Sequence, residues 1–329
     1  MRVGPEPDAE SRVSVSRPDA SALPAAAPDI QRLLAQIGPR WASDIRAHSQ
    51  QVKDAYAPLL ARAPKDGIEV SRDIAYGPHP RQVLDIFRPV AAHAAPIVVF
   101  VHGGAFVRGD KCTTAEIYDN VLYWFARQGC VGVNVEYRLA PEAAYPEGAR
   151  DVALALARVH AQAARHGGDP NRMLLIGHSA GGTHAAAHVF DPAVGGAAPD
   201  VAALVLISAR LRADRLAENP NAPGVAAYFG ADAGLDEQRS PVHHAARSWL
   251  PTFVVTAEHE NPLLDVYGLE FAHRLACARR RAPRFLQMPG HNHMSIVAHF
   301  NSGEEVLGRR ILEFFDEVAP VSGGVRAAG

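Results

Sequence analysis

From about residue 67 to residue 318, short runs that are apolar throughout or at every second position alternate with longer stretches in which apolar residues return every third or fourth place. The short runs predict strands at 69–76, 82–87, 97–101, 131–137, 173–176, 201–207, 253–257 and 284–288. The longer stretches predict helices at 114–128, 147–166, 180–188, 263–278 and 304–318. Several strands read as continuous apolar segments, which suits parallel strands covered by helices on both faces, while the alternating first pair suits an antiparallel hairpin at one edge. The pattern therefore predicts an α/β fold, with a mostly parallel sheet of about eight strands flanked by helices.

Outside that pattern the chain divides further. In 28–66, Ile30, Leu33, Leu34 and Ile37, then Val52, Tyr56, Leu59 and Leu60, recur at helical spacing and predict two helices that would form part of a cap. A stretch between two strands, 208–247, holds Pro220, Pro223, Gly224 and Gly230 and reads as an insertion, the second source of cap material. Residues 1–27 are polar and proline-rich and are expected to be disordered, and 319–329 read as a flexible Gly/Ala-rich tail. The leading segment contains no apolar run fit for a signal peptide or a span, so the cytoplasm is the expected address and no membrane partner is expected.

Composition narrows the classes. The 329 residues are 48% apolar and 21% charged, with a formal charge of -2, the balance of a globular enzyme. Lysine occurs only at 53, 65 and 111, and the arginines are scattered, so there is no basic stripe for nucleic acid. Three cysteines, Cys112, Cys130 and Cys277, imply no disulfide framework. A small neutral ligand fits this surface best, and a homodimer is compatible with it.

The strongest chemical signal lies at 173–182, an apolar strand running into Gly177-His-Ser-Ala-Gly181 and then an Ala-rich helix. A sharp strand-to-helix turn crowds the backbone, so glycines flank a residue that is pushed outward, which marks Ser179 as the nucleophile. Taken alone, a Gly-x-Ser-x-Gly pentapeptide is weak and can be an ordinary glycine turn; the flanking strand and helix raise it above chance. Upstream, a second apolar strand ends in His102-Gly-Gly-Ala-Phe106. Acyl transfer develops negative charge on the carbonyl oxygen, and backbone N–H groups of Gly103, Gly104 and Ala180 would form the oxyanion hole for it. His102 reads as a loop-fixing residue rather than a base. The glycines at 104 and 109 have phosphate-loop spacing, but Asp110-Lys111 follows where Lys-Ser/Thr is required, so no nucleotide is expected. No His-Glu-x-x-His or Cys-x-x-Cys occurs, so neither a metal nor another cofactor is expected.

Together, His102-Gly-Gly-Ala-Phe106, Gly109-Asp-Lys111, Tyr137-Arg-Leu-Ala-Pro-Glu142 with Tyr145-Pro146, and Gly177-His-Ser-Ala-Gly-Gly182 resemble the bacterial hormone-sensitive-lipase-type esterases and their arylformamidase-like relatives over 67–318. The resemblance implies the α/β-hydrolase fold and acyl hydrolysis. The Tyr137–Pro141 segment itself reads as a strand followed by a proline turn.

A serine hydroxyl needs a base to take its proton and a carboxylate to hold that base, and in this fold the acid precedes the histidine. Among sixteen histidines, two lie in the turn after the last strand, His291 and His293. Relatives have Gly-x-x-His there, so the resemblance implies His293 as the base and leaves His291 a packing role. The same comparison points to Glu260 as the acid, although relatives commonly carry aspartate at that place. Asp265, near the start of a helix, and Glu258, nearer the strand, are the competitors. The function expected is hydrolysis of a small to medium, largely apolar carboxylic ester through an acyl-enzyme. An arylformamidase-like amide hydrolase and a non-catalytic binding protein of the same fold are the alternatives.

Overall fold

A computed structural model describes residues 28–194 and 201–320; the expectations for 1–27 and for most of 319–329 lie outside the described residues. Eight strands form one sheet: β1 (Ile68–Ala75), β2 (Val83–Pro89), β3 (Ala95–Val101), β4 (Val131–Val135), β5 (Gly168–His178), β6 (Ala203–Ile207), β7 (Thr252–His259) and β8 (Arg284–Asn292). Their order is β1-β2-β4-β3-β5-β6-β7-β8, and every pairing from β4 onward is parallel, while β1 with β2 and β2 with β4 are antiparallel. The apolar runs are explained by burial on both sides. On β3, Val98 and Phe100 join one core and Ile97, Val99 and Val101 the other; β6 divides Val205 and Ile207 from Leu204 and Leu206 in the same way.

Both sheet faces carry helices. Leu122 and Phe125 of Asp119–Arg127, together with Ile311 and Phe315 of Val306–Val318, enter the first core. Leu156 of Glu147–Gln162, Ala185 of Ala180–Phe190 and Phe271 of Leu264–Arg279 enter the second. The helix expected at 114–128 starts only at Asp119, because the Thr114 hydroxyl accepts the Glu116 and Ile117 N–H groups at 3.3 and 3.0 Å and turns the chain first. Among the described residues no helix is long and apolar enough to cross a membrane.

The connection leaving β3 runs to β4 on one side, and the connection leaving β5 runs to β6 on the other. The carboxyl ends of these neighbours therefore part, opening the crevice at which α/β sheets bind ligands. His102 follows β3 and Ser179 follows β5, so both motif loops meet at that crevice.

Several histidines are enclosed by this packing, His178, His184 and His299 among them. Burial pushes His184 down to about 3 and His299 to about 4, and holds His178 well below the usual histidine value. In the unfolded chain each takes up a proton near pH ~6.5, so below that value the unfolded state binds more protons than the folded one. The neutral-state stability is thus fully present above about pH 6.5 and is lost as the pH falls towards 4. The expected loss is roughly 1 kcal/mol per pH unit for each histidine, to be read from urea unfolding midpoints at pH 7, 6 and 5. A midpoint that stays constant across that series would contradict the burial of neutral imidazoles.

Candidate active site

Ser179 occupies the turn between β5 and the helix Ala180–Phe190, with φ 54 and ψ -120. This is a costly backbone for a non-glycine residue, on the order of 1–3 kcal/mol, and it points the hydroxyl out of the strand. Close packing makes the turn possible: a Cβ on Gly181 would lie 2.2 Å from the Val101 carbonyl oxygen, so no other residue lets the helix approach β3. A Cβ on Gly103 would come within 2.9 Å of Ser179 Cβ, which sets the two motif loops against each other.

His293 follows β8 and reaches back to the serine. Its Nε2 lies 3.0 Å from Ser179 Oγ, and its Nδ1 lies 2.7 Å from Glu260 Oε2. The second Glu260 oxygen accepts the Ala257 N–H at 2.8 Å, so the carboxylate is fixed from its own strand end. Its side chain is 2% exposed. The His293 backbone is held on both sides: its N–H donates to His259 O at 3.1 Å, and its carbonyl lies 3.0 Å from His178 Nε2. Because burial keeps His178 neutral, that ring can donate there without adding a charge beside the base.

The competing residues sit elsewhere. His291 bonds Glu304 Oε1 through Nε2 at 2.8 Å and Ser295 Oγ through Nδ1 at 3.1 Å. Glu258 is exposed and accepts the Gly290 N–H at 2.6 Å, and Asp265 lies in the first turn of Leu264–Arg279.

Gly104, φ +146, has a backbone that side chains rarely adopt, and a Cβ there would strike the Arg108 carbonyl oxygen at 1.9 Å. None of the backbone hydrogen bonds between elements of the described residues uses the N–H of Gly103, Gly104, Ala105 or Ala180. Ala105 lies in a left-handed turn at φ 50.

Segments outside the sheet bear on the site from two sides. The Trp41 indole donates to Asn261 Oδ1 at 2.9 Å, next to Glu260, so the N-terminal helical segment grips the acid turn. Within 208–247, the helix Ala222–Phe229 lies on the oxyanion loop: Tyr228 stacks on Phe106 at 4.6 Å, and Arg108 bonds Asn221 Oδ1 at 2.8 Å. For metals, Asp85, Cys112 and Asp119 approach closely enough among the described residues to share an ion. Arg72 and Lys111 already pair with these carboxylates, and burial pushes the Cys112 thiol up to about 12, so the group is a poor cation site.

Known proteins agree with this picture. A family model described as BD-FAE matches residues 84–191. Esterase LipC of Mycobacterium tuberculosis (strain ATCC 25618 / H37Rv) is 28% identical over 242 residues, covering 68% of this chain and 59% of LipC. Carboxylesterase NlhH of Mycobacterium tuberculosis (strain CDC 1551 / Oshkosh) is 43% identical over 99 residues, covering 29% of this chain and 28% of NlhH. The chain thus matches less than two thirds of either relative's length. The solved Pyrobaculum calidifontis esterase shares the fold, with a TM-score of 0.67 and 22% identity over 90% of this chain and all of that one. By sheet order, by the place of Ser179 at the switch point and by these likenesses, the chain has the α/β-hydrolase fold and resembles the hormone-sensitive-lipase-type esterases.

Proposed function

We propose that the chain is a serine carboxylic-ester hydrolase acting through an acyl-enzyme on a small to medium, largely apolar ester. The observation that supports it most is the unbroken chain of hydrogen bonds from Ser179 Oγ to His293 Nε2 at 3.0 Å and from His293 Nδ1 to Glu260 at 2.7 Å. In this reading His293 takes the Ser179 proton as the oxygen attacks the carbonyl, and Glu260 holds the tautomer and stabilises the imidazolium. The oxyanion is received by the backbone N–H groups of Gly103, Gly104 and Ala180. The alcohol leaves with the proton from His293, and water activated by the same ring releases the acid. The N-terminal helices and the 208–247 insertion act as the cap that shapes the acyl site. A cytoplasmic location, where Cys112, Cys130 and Cys277 stay reduced, belongs to the same reading.

The acid assignment is tested by two substitutions assayed on p-nitrophenyl butyrate. Glu260→Gln is expected to lower kcat roughly a hundredfold or more, because the neutral amide no longer stabilises the imidazolium. Asp265→Asn is expected to stay within about fivefold of the parent. The opposite ranking would remove Glu260 from the mechanism. Parallel turnover of an N-formyl arylamine separates an ester preference from an amide one.

A further inference from the structure

Glu136, one residue beyond β4, is buried and belongs to no part of the Ser179–His293–Glu260 chain. Its Oε1 accepts from the Arg81 guanidinium and lies 3.2 Å from His102 Nε2, while its Oε2 accepts the Lys111 N–H at 2.7 Å. Those contacts are the two ends of the loop 102–111, which carries Gly103, Gly104 and Ala105 between them. One carboxylate therefore grips both ends. Arg81 completes the clamp from the turn between β1 and β2, donating to Tyr137 O at 2.9 Å and to Gly109 O at 2.8 Å. The Tyr137 hydroxyl in turn donates to His102 O at 3.0 Å.

The loop needs such an anchor. It has positive φ at Gly104, Ala105, Phe106 and Gly109, so no strand ladder or helix can hold it. A buried carboxylate costs several kcal/mol unless it is paired and hydrogen-bonded, and here every contact it makes beyond Arg81 falls on this loop. We propose that Glu136, with Arg81 as its counterion, is a positioning residue that fixes the oxyanion loop at the distance from Ser179 that the tetrahedral intermediate requires. This rests on the serine-hydrolase reading above. A donor that drifts from the developing oxyanion loses transition-state binding while ground-state binding is little changed, since the planar carbonyl makes weaker use of the hole.

The test compares the parent with Glu136→Gln, which keeps shape but loses the charge, and Arg81→Lys, which keeps the charge but loses the fork. With p-nitrophenyl butyrate, Glu136→Gln is expected to lower kcat by about 10–100-fold with KM within about threefold. Affinity for phenylboronic acid, which forms a tetrahedral adduct on the serine, should weaken by a similar factor. Arg81→Lys should show the same split with a smaller loss, and it carries the comparison by itself if Glu136→Gln fails to fold. The inference is overturned if the variants stay within about threefold of the parent, if KM rises as kcat falls, or if boronate affinity is unmoved. Ser179→Ala assayed beside them separates the two levels: a parent that is inactive, or a Ser179→Ala protein that is active, refutes the hydrolase reading itself.

Discussion

Replacing Ser179 by alanine is expected to abolish ester hydrolysis, to the limit set by contaminating activity, while the thermal midpoint moves little. The serine is the only group in the proposed mechanism that bonds to the acyl carbon, so its loss cannot be shared out among the remaining residues. Structurally the change removes one oxygen whose bond is to His293 Nε2 at 3.0 Å, and no core contact. The strained backbone at φ 54 is set by the surrounding glycines and remains. The check is steady-state turnover of a short-chain p-nitrophenyl ester together with a thermal melt. Activity within about tenfold of the parent would falsify the nucleophile assignment.

Replacing His293 by alanine is expected to cost about a thousandfold or more in kcat, against a far smaller loss for His291→Ala. Two histidines two residues apart part company because the strand ends between them. β8 runs on to Asn292, which pairs with His259, and the chain turns beyond it, so two residues that a continued strand would set on one face separate: His291 turns towards Glu304 while His293 reaches Ser179. His291→Ala would leave the half-buried Glu304 without that partner, and so its main effect should be on stability. Initial rates and unfolding midpoints of the pair decide it: a crippled His291→Ala beside a competent His293→Ala would exchange the two roles.

The sheet was legible because its physics is local. β3, β6 and residues 173–176 of β5 are buried on both faces and are apolar throughout, and the elbow at Ser179 needs glycines on either side wherever it occurs. Other features depend on partners that no spacing announces. Pro289 and Gly290 read as a loop, yet β8 continues through them as a bulge: Ala257 pairs with Met288 and His259 with Asn292, so the extra residues of β8 stand opposite Glu258, whose carboxylate accepts the Gly290 N–H. His178 lies inside the serine motif, but its bond to the His293 carbonyl, 115 residues away, follows only from the packing of β5 beside the histidine turn. Trp41 on Asn261 is of the same kind, since a helix ahead of the sheet gives no sign of which turn it will cover. The proposed oxyanion loop stands between these cases: the glycines marked it, but the carboxylate that accepts the N–H at its Lys111 end comes from Glu136, 25 residues on.

Reaction with a fluorophosphonate tests the central claim most directly, because only a serine activated by an adjacent base attacks phosphorus quickly at neutral pH. Intact-mass analysis followed by peptide mapping should show one adduct per chain, on Ser179, formed in step with the loss of esterase activity and absent from the His293→Ala protein. Esterase activity that survives complete labelling of Ser179, or an adduct formed on another residue while Ser179 stays free, would contradict it.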